Sequence, residues 1–212
     1  MKIRVLLLAA CCGLLLADAR AQAPASADHL WQDLSAGNAR FIAGTPHARN
    51  LPADRAKWAK TQSPAVAVLA CADSRVAPEL VFDKTLGELF VVRAAGNSPD
   101  PVAIGSLEYA VENLGTVMIV VMGHQSCGAV KAACSGGKMP TANLEAVVEP
   151  IQASCSKANG KDIEPAARDH VHQAALALVA RSPILKKAVE EKKLVIVESY
   201  YSLDTGKVER LK

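Results

Sequence analysis

The chain has 212 residues, half of them hydrophobic, and a formal net charge of +3. That length fits one domain able to bury a sizeable core, and the near-neutral charge argues against nucleic acid as a partner. Only one long apolar stretch occurs, at the extreme N-terminus, so nothing beyond it is expected to span a membrane.

Lys2 and Arg4 precede an apolar run from Val5 to Leu16, and Ala19-Arg20-Ala21 has the small-x-small form of a cleavage site. Residues 1–21 therefore read as a secretory signal peptide, cut after Ala21 or Ala23, which directs the chain to a periplasm. A lipidation box ending at Cys11 is the rival reading, disfavoured because the apolar run continues past it. Cleavage removes three positive charges and one negative, taking the net charge from +3 to +1.

Residues 22–64 read as a tether and an N-terminal arm of two helices. Leu30, Leu34 and Phe41 recur at helical spacing before Gly44, and Trp31 and Trp58 flank a connector containing Pro and Arg. From residue 65 the pattern changes. Residues 65–71, 88–96 and 116–124 are near-continuous apolar runs of strand length, as expected of strands buried on both faces of a parallel sheet. Between the last two, Ser98-Pro99 and Gly115 bracket a helix, which makes a βαβ unit. Helices are expected over about 140–193, then a strand, a turn at Asp204 to Gly206 and a closing strand. The fold class is α/β. In such sheets chemistry gathers at the carboxyl ends of the strands, where Cys71 and His124 both fall.

His124 and Cys127 lie three apart at a strand-to-helix turn, and two thiolates with an imidazole suit Zn²⁺. Each motif alone is a modest signal, and together at two strand ends they are a strong one. Cys71-Ala72-Asp73-Ser74-Arg75 and Gly123-His124 with Cys127-Gly128 resemble the two zinc motifs of the β-class carbonic anhydrases. The segments "GELFVVRAAGN" and "IGSLEYAVENLG" resemble that family's second strand and the helix after it.

The resemblance implies a mostly parallel four-stranded sheet with a fifth C-terminal strand, flanked by helices, over a zinc-binding catalytic domain at 65–212. It implies one Zn²⁺ per subunit on Cys71, His124 and Cys127, and an Asp73–Arg75 dyad that orients a zinc-bound hydroxide for attack on CO₂ to give bicarbonate. It further implies a homodimer or homotetramer with the N-terminal helices gripping a neighbour. Gln62 stands nine residues before Cys71 and Val68 three before it, a pattern similar to the plant-like, constitutively open subclass. By the same resemblance Gln62, Phe90, Tyr109 and the Gly128 N–H contact substrate. Gln125 and Ala95 depart from the family pattern, and Ala95 would widen the pocket. Rival readings are a hydrolase of CS₂ or COS on the same scaffold, a catalytically silent zinc protein, and a hydrolase using Cys71 as nucleophile.

Zinc would protect Cys71 and Cys127 from oxidation, which leaves Cys134 and Cys155 to bridge or stay free; an exported location favours the bridge. His170 and His172, two apart on a helix, point to nearly opposite sides and cannot share one ion. They read as solvated or satisfied helix histidines. His29 and His47 show no partner pattern, Met118 and Met122 read as core on one strand face, and residues 186–193 as a solvated helix end.

Overall fold

The structure, a computed structural model, describes residues 26–160 and 162–212; the expected signal peptide, Cys11 and the start of the tether lie outside the described residues. The strands are β1 (Val66–Cys71), β2 (Leu89–Ala94), β3 (Met118–His124), β4 (Val195–Tyr201) and β5 (Val208–Arg210). The helices are α1 (Ala27–Ala43), α2 (Leu51–Trp58), α3 (Pro78–Val81), α4 (Pro101–Leu114), α5 (Gly128–Ser135), α6 (Ala142–Val148), α7 (Gln152–Lys157), α8 (Ile163–Arg181) and α9 (Pro183–Glu190). One sheet runs in the order β2-β1-β3-β4-β5, parallel through β4, with β5 antiparallel at the edge.

The two-residue period of a strand sorts each apolar run between two cores. Ala67, Leu69, Ile119 and Val121 face the side covered by α4, α8 and α9. Val66, Val68, Ala70, Met118, Val120 and Met122 face the side covered by α1 and α3. Both methionines are fully buried on that one face. A buried leucine such as Leu69 contributes roughly 1.5–3 kcal/mol, so replacing these central residues would open the sheet at its middle.

Two boundaries differ from the sequence expectation. β2 stops at Ala94, because Gly96 and Asn97 adopt left-handed conformations (φ 72° and 47°) that turn the chain out of the sheet. Helix α4 starts at Pro101 rather than at Ser98, which is extended; Asp100 supplies the cap by accepting from the Ala103 N–H at 2.7 Å.

Helix α1 lies against its own sheet. A Cβ at Gly37 would sit 1.9 Å from the Phe82 carbonyl oxygen, so only glycine permits this approach. The buried Asn38 donates to the Val81 and Gly206 carbonyls and accepts from the Val208 N–H, tying α1 to α3 and to the β4–β5 turn. Asp83 anchors the segment that follows, accepting from Arg40, Arg49 and the His47 N–H. Burial alone would raise the Asp83 carboxyl; those bonds outweigh it and hold the group below its ordinary range. Among the described residues no helix is long and apolar enough to cross a membrane.

Candidate metal centre

β1 and β3 are neighbours in parallel register, Ala70 opposite Met122, so their carboxyl ends lie side by side. Cys71 ends one and His124 the other. After His124 the chain reverses through Ser126 (φ 54°) and enters α5, with Cys127 at the cap position. This turn brings Cys127 back to within 4.0 Å of Cys71, sulfur to sulfur. The ligating atoms of Cys71, His124 and Cys127 all lie within 4.8 Å of one another, and all three residues are buried.

The donors suit a zinc ion. Two sulfurs each about 2.3 Å from a tetrahedral zinc would be about 3.8 Å apart, close to the separation present. His124 Nδ1 lies 2.9 Å from the Gln125 carbonyl oxygen, so that nitrogen carries the hydrogen and Nε2 keeps its lone pair. Nε2 is buried with no hydrogen-bond partner, an orphaned acceptor facing two sulfurs. The Cys71 thiol is pulled down first by its hydrogen bond with Cys127, against burial, and further by His124 and the Gly96 N–H, which donates at 3.3 Å. Cys127 is pushed up by the same partner and by burial, while the Ala129 and Val130 N–H groups at the start of α5 pull it down. The Gly96, Ala129 and Val130 N–H groups each favour thiolate charge at one of the two sulfurs, as a ligand pair requires.

Asp73 and Arg75 stand beside it. Asp73 Oδ1 accepts from Arg75 Nε and from the Arg75 backbone N–H, each at 2.9 Å, and Oδ2 accepts from Nη2 at 2.7 Å. The Arg75 hydrogen bond, against a smaller burial effect, holds this carboxyl far below the usual range. Asp73 Oδ2 lies 4.0 Å from His124 Nε2.

Arg93 was not singled out from the sequence. Its Nε donates to the Cys71 carbonyl at 3.0 Å and its Nη2 to the Asp73 carbonyl at 2.5 Å, pinning the segment between ligand and dyad. A lone charge inside the apolar run of β2 was the available signal. Gln125 fixes the opposite rim, binding Asp204 and Ser202 through its side-chain amide. Ala95 is exposed.

The substrate candidates divide. Gly128 opens α5 beside Cys127, and a Cβ there would meet nothing within 4 Å, so space lies in front of it. Gln62 is exposed beyond the opposite end of β1, where Pro64 is bonded to Thr116. At about 3.3 Å per residue, the length of β1 alone separates that end from Cys71 by about 16 Å. Phe90 pairs with Ala67, also near the amino end of the sheet. Tyr109 lies past the middle of α4, which returns toward that end, and is 50% exposed. One chain therefore does not bring these three to its own metal centre.

Cys134 and Cys155 are bridged, their Cα atoms 5.1 Å apart, joining α5 to α7. His170 and His172 diverge: His170 meets Ser98 and His172 meets Glu198, so no ion is shared. The His47 N–H and ring both face Asp83.

Residues 66–208 match the family model described as carbonic anhydrase. The chain is 40% identical over 184 residues to carbonic anhydrase 2 of Mycobacterium tuberculosis, covering 84% of this chain and 89% of that protein. It is 39% identical over 186 residues to a carbonic anhydrase of Mycolicibacterium smegmatis, covering 84% and 90%. Its fold is similar to a tetrameric β-carbonic anhydrase of Sordaria macrospora, with TM-score 0.69, 23% identity and coverage of 87% and 97%. It is also similar to the Coccomyxa β-carbonic anhydrase in complex with acetazolamide, with TM-score 0.63, 27% identity and coverage of 87% and 83%. With the Cys-His-Cys cluster and the carboxylate–guanidinium pair at the same strand ends, these matches lead to one conclusion: the chain belongs to the β-carbonic anhydrases.

Proposed function

We propose that the chain is a zinc-dependent carbonic anhydrase that interconverts CO₂ and bicarbonate after export to a periplasm. The observation that carries this reading is the convergence of Cys71, His124 and Cys127 beside an Asp73 carboxylate held by Arg75. Cys71, His124 and Cys127 would hold the ion. Bound there, zinc supplies Lewis acidity that makes water a nucleophile near neutral pH.

The remaining work falls to the chain. Arg75 keeps Asp73 ionised and turned toward itself, and the second lone pair of Oδ2, beside the one that accepts from Arg75 Nη2, accepts a hydrogen bond from the attacking water and fixes its direction. Arg93, through the Asp73 carbonyl, opposes rotation of that segment onto the metal. The Gly128 N–H, in the first turn of α5 where no intrahelical acceptor is available, serves as donor to a substrate oxygen. The resemblance at Gln62 and Val68 supports the open-site subclass.

The placement of Gln62, Phe90 and Tyr109 supports an oligomer in which one copy completes the pocket of the next. β2 is an edge strand, paired only with β1 among the described residues, and Leu86, Val102 and Tyr109 expose apolar surface beside it, a face suited to a second copy.

The test is to purify the exported protein, count zinc, and follow CO₂ hydration by stopped flow beside Asp73→Asn. Stoichiometric zinc is expected, with fast hydration that falls roughly 10- to 100-fold in the variant while zinc is retained. Zinc without hydration between about pH 7 and 9 would overturn the reading and direct the assay to sulfur analogues of CO₂.

A further inference from the structure

Behind the metal centre lies a buried imidazole that the reaction does not use. His170, on α8, is 1% exposed, and its Nε2 is 3.1 Å from the Ser98 hydroxyl. Ser98 ends the short turn Ala95–Asn97, which leaves β2 and presents the Gly96 N–H to the Cys71 sulfur. That turn contains two consecutive left-handed residues, Gly96 and Asn97. A Cβ at Gly96 would be 2.7 Å from Ile151 Cδ1 and 3.1 Å from the Ala129 Cβ. The backbone is thus confined from the α5 side, in a left-handed turn that Gly and Asn adopt readily.

The buried ring is an expensive way to fill space. Burial pushes the His170 imidazole down to about 4, with the Gly96 carbonyl, Asp169 and Cys71 opposing, so it is neutral near pH 7. An apolar side chain would pack there without that cost. What the imidazole adds is polar contact with one turn, through the bond to the Ser98 hydroxyl and the proximity of the Gly96 carbonyl.

We propose that His170 is a positioning residue for the metal centre: through the Ser98 hydroxyl it holds the 95–97 turn so that the Gly96 N–H stays directed at the Cys71 sulfur. This rests on the zinc reading of the Cys-His-Cys cluster, and the route is His170, Ser98, Gly96, Cys71. A hydrogen bond to a ligand thiolate stabilises its charge and fixes its direction, and partners of this kind typically govern metal affinity by 10- to 100-fold.

The experiment measures zinc affinity by chelator competition and the sulfur-to-metal charge-transfer band of the Co²⁺-substituted full chain. His170→Ala and Ser98→Ala are each expected to weaken zinc by roughly tenfold or more and to shift the cobalt band. His170→Gln, which returns a polar atom near the position of Nε2, should restore most of both. Leu178→Ala is the control for packing alone: Leu178 is fully buried on the same helix, and its loss should lower stability without moving affinity or band. Unchanged affinity and spectrum in His170→Ala, or an equal loss in Leu178→Ala, would overturn the proposal. Should His170→Ala not fold, Ser98→Ala decides by the same two readouts. A wild-type protein that binds no zinc or cobalt would instead sink the metal reading itself.

Discussion

At the carboxyl ends of β1 and β3, the chain supplies every metal donor and the partners that orient them. The Gly96 N–H meets Cys71, the Gln125 carbonyl meets His124, Arg75 holds Asp73, and Arg93 braces the segment between. At the amino ends of the same sheet the reverse holds. Gln62 and Tyr109 project toward solvent and Phe90 sits on the edge strand β2. The three candidate donors converge within one chain, whereas the substrate wall attributed to Gln62, Phe90 and Tyr109 would, on the proposed reading, be completed by a second copy. Catalysis and ion binding should therefore be separable by subunit association.

That contrast is open to attack most directly at the apolar edge. Val102 is 78% exposed on α4 and touches neither ligand nor dyad, so Val102→Asp should leave zinc stoichiometric. It should also drive the protein toward monomers in analytical ultracentrifugation and lower kcat/KM roughly 10- to 100-fold. A monomeric variant with full activity would show that one chain suffices.

The disulfide bears on stability and not on association. Cys134 and Cys155 enclose a span of 21 residues. Replacing both with alanine should cost about 3 kcal/mol in denaturant unfolding while zinc content is kept. Loss of zinc as well would mean that the bridge also holds α5 against the ligands.

The last effect concerns the buried imidazole of His170. The His170 pKa is depressed from 6.5 to about 4 in the fold, so the unfolded chain binds the extra proton between those values. The stability it contributes is complete above about pH 6.5 and is lost as pH falls toward 4. Between pH 7 and 5 the wild type should lose about 2 kcal/mol more than His170→Gln. Parallel urea titrations at the two pH values measure this, and equal losses would contradict the assignment.

Much of the metal end could be read before any coordinates. Residues 65–71 and 116–124 are apolar throughout because β1 and β3 are central and covered on both faces. Their last residues carry the ligands, so strand ends and chemistry coincided in the sequence. β2 was read two residues too long because "AAG" continues an apolar pattern, while the left-handed Gly96 that ends it is a backbone property. The same limit hid the role of Ser98, which looked like a helix start and instead anchors the turn to His170. The stretch over 140–193 read as helical without its divisions. Pro150, the Asn159-Gly160 pair and Ser182-Pro183 break it into separate helices that wrap the centre. Contacts such as Asn38 to Val208, 170 residues apart, leave no local pattern at all.

The strand order sets a timetable. Cys71 and Cys127 are 56 residues apart and meet only after the chain has passed through β2 and α4 and laid β3 against β1. The Gly96 donor arrives only when β2 has paired along the other side of β1. Parallel pairings of this kind form late, since long loops must close before any contact rewards them. A chain threaded unfolded through a membrane would reach the far side with its ligands scattered. Metal capture during refolding would therefore mark the moment at which β1, β2 and β3 close.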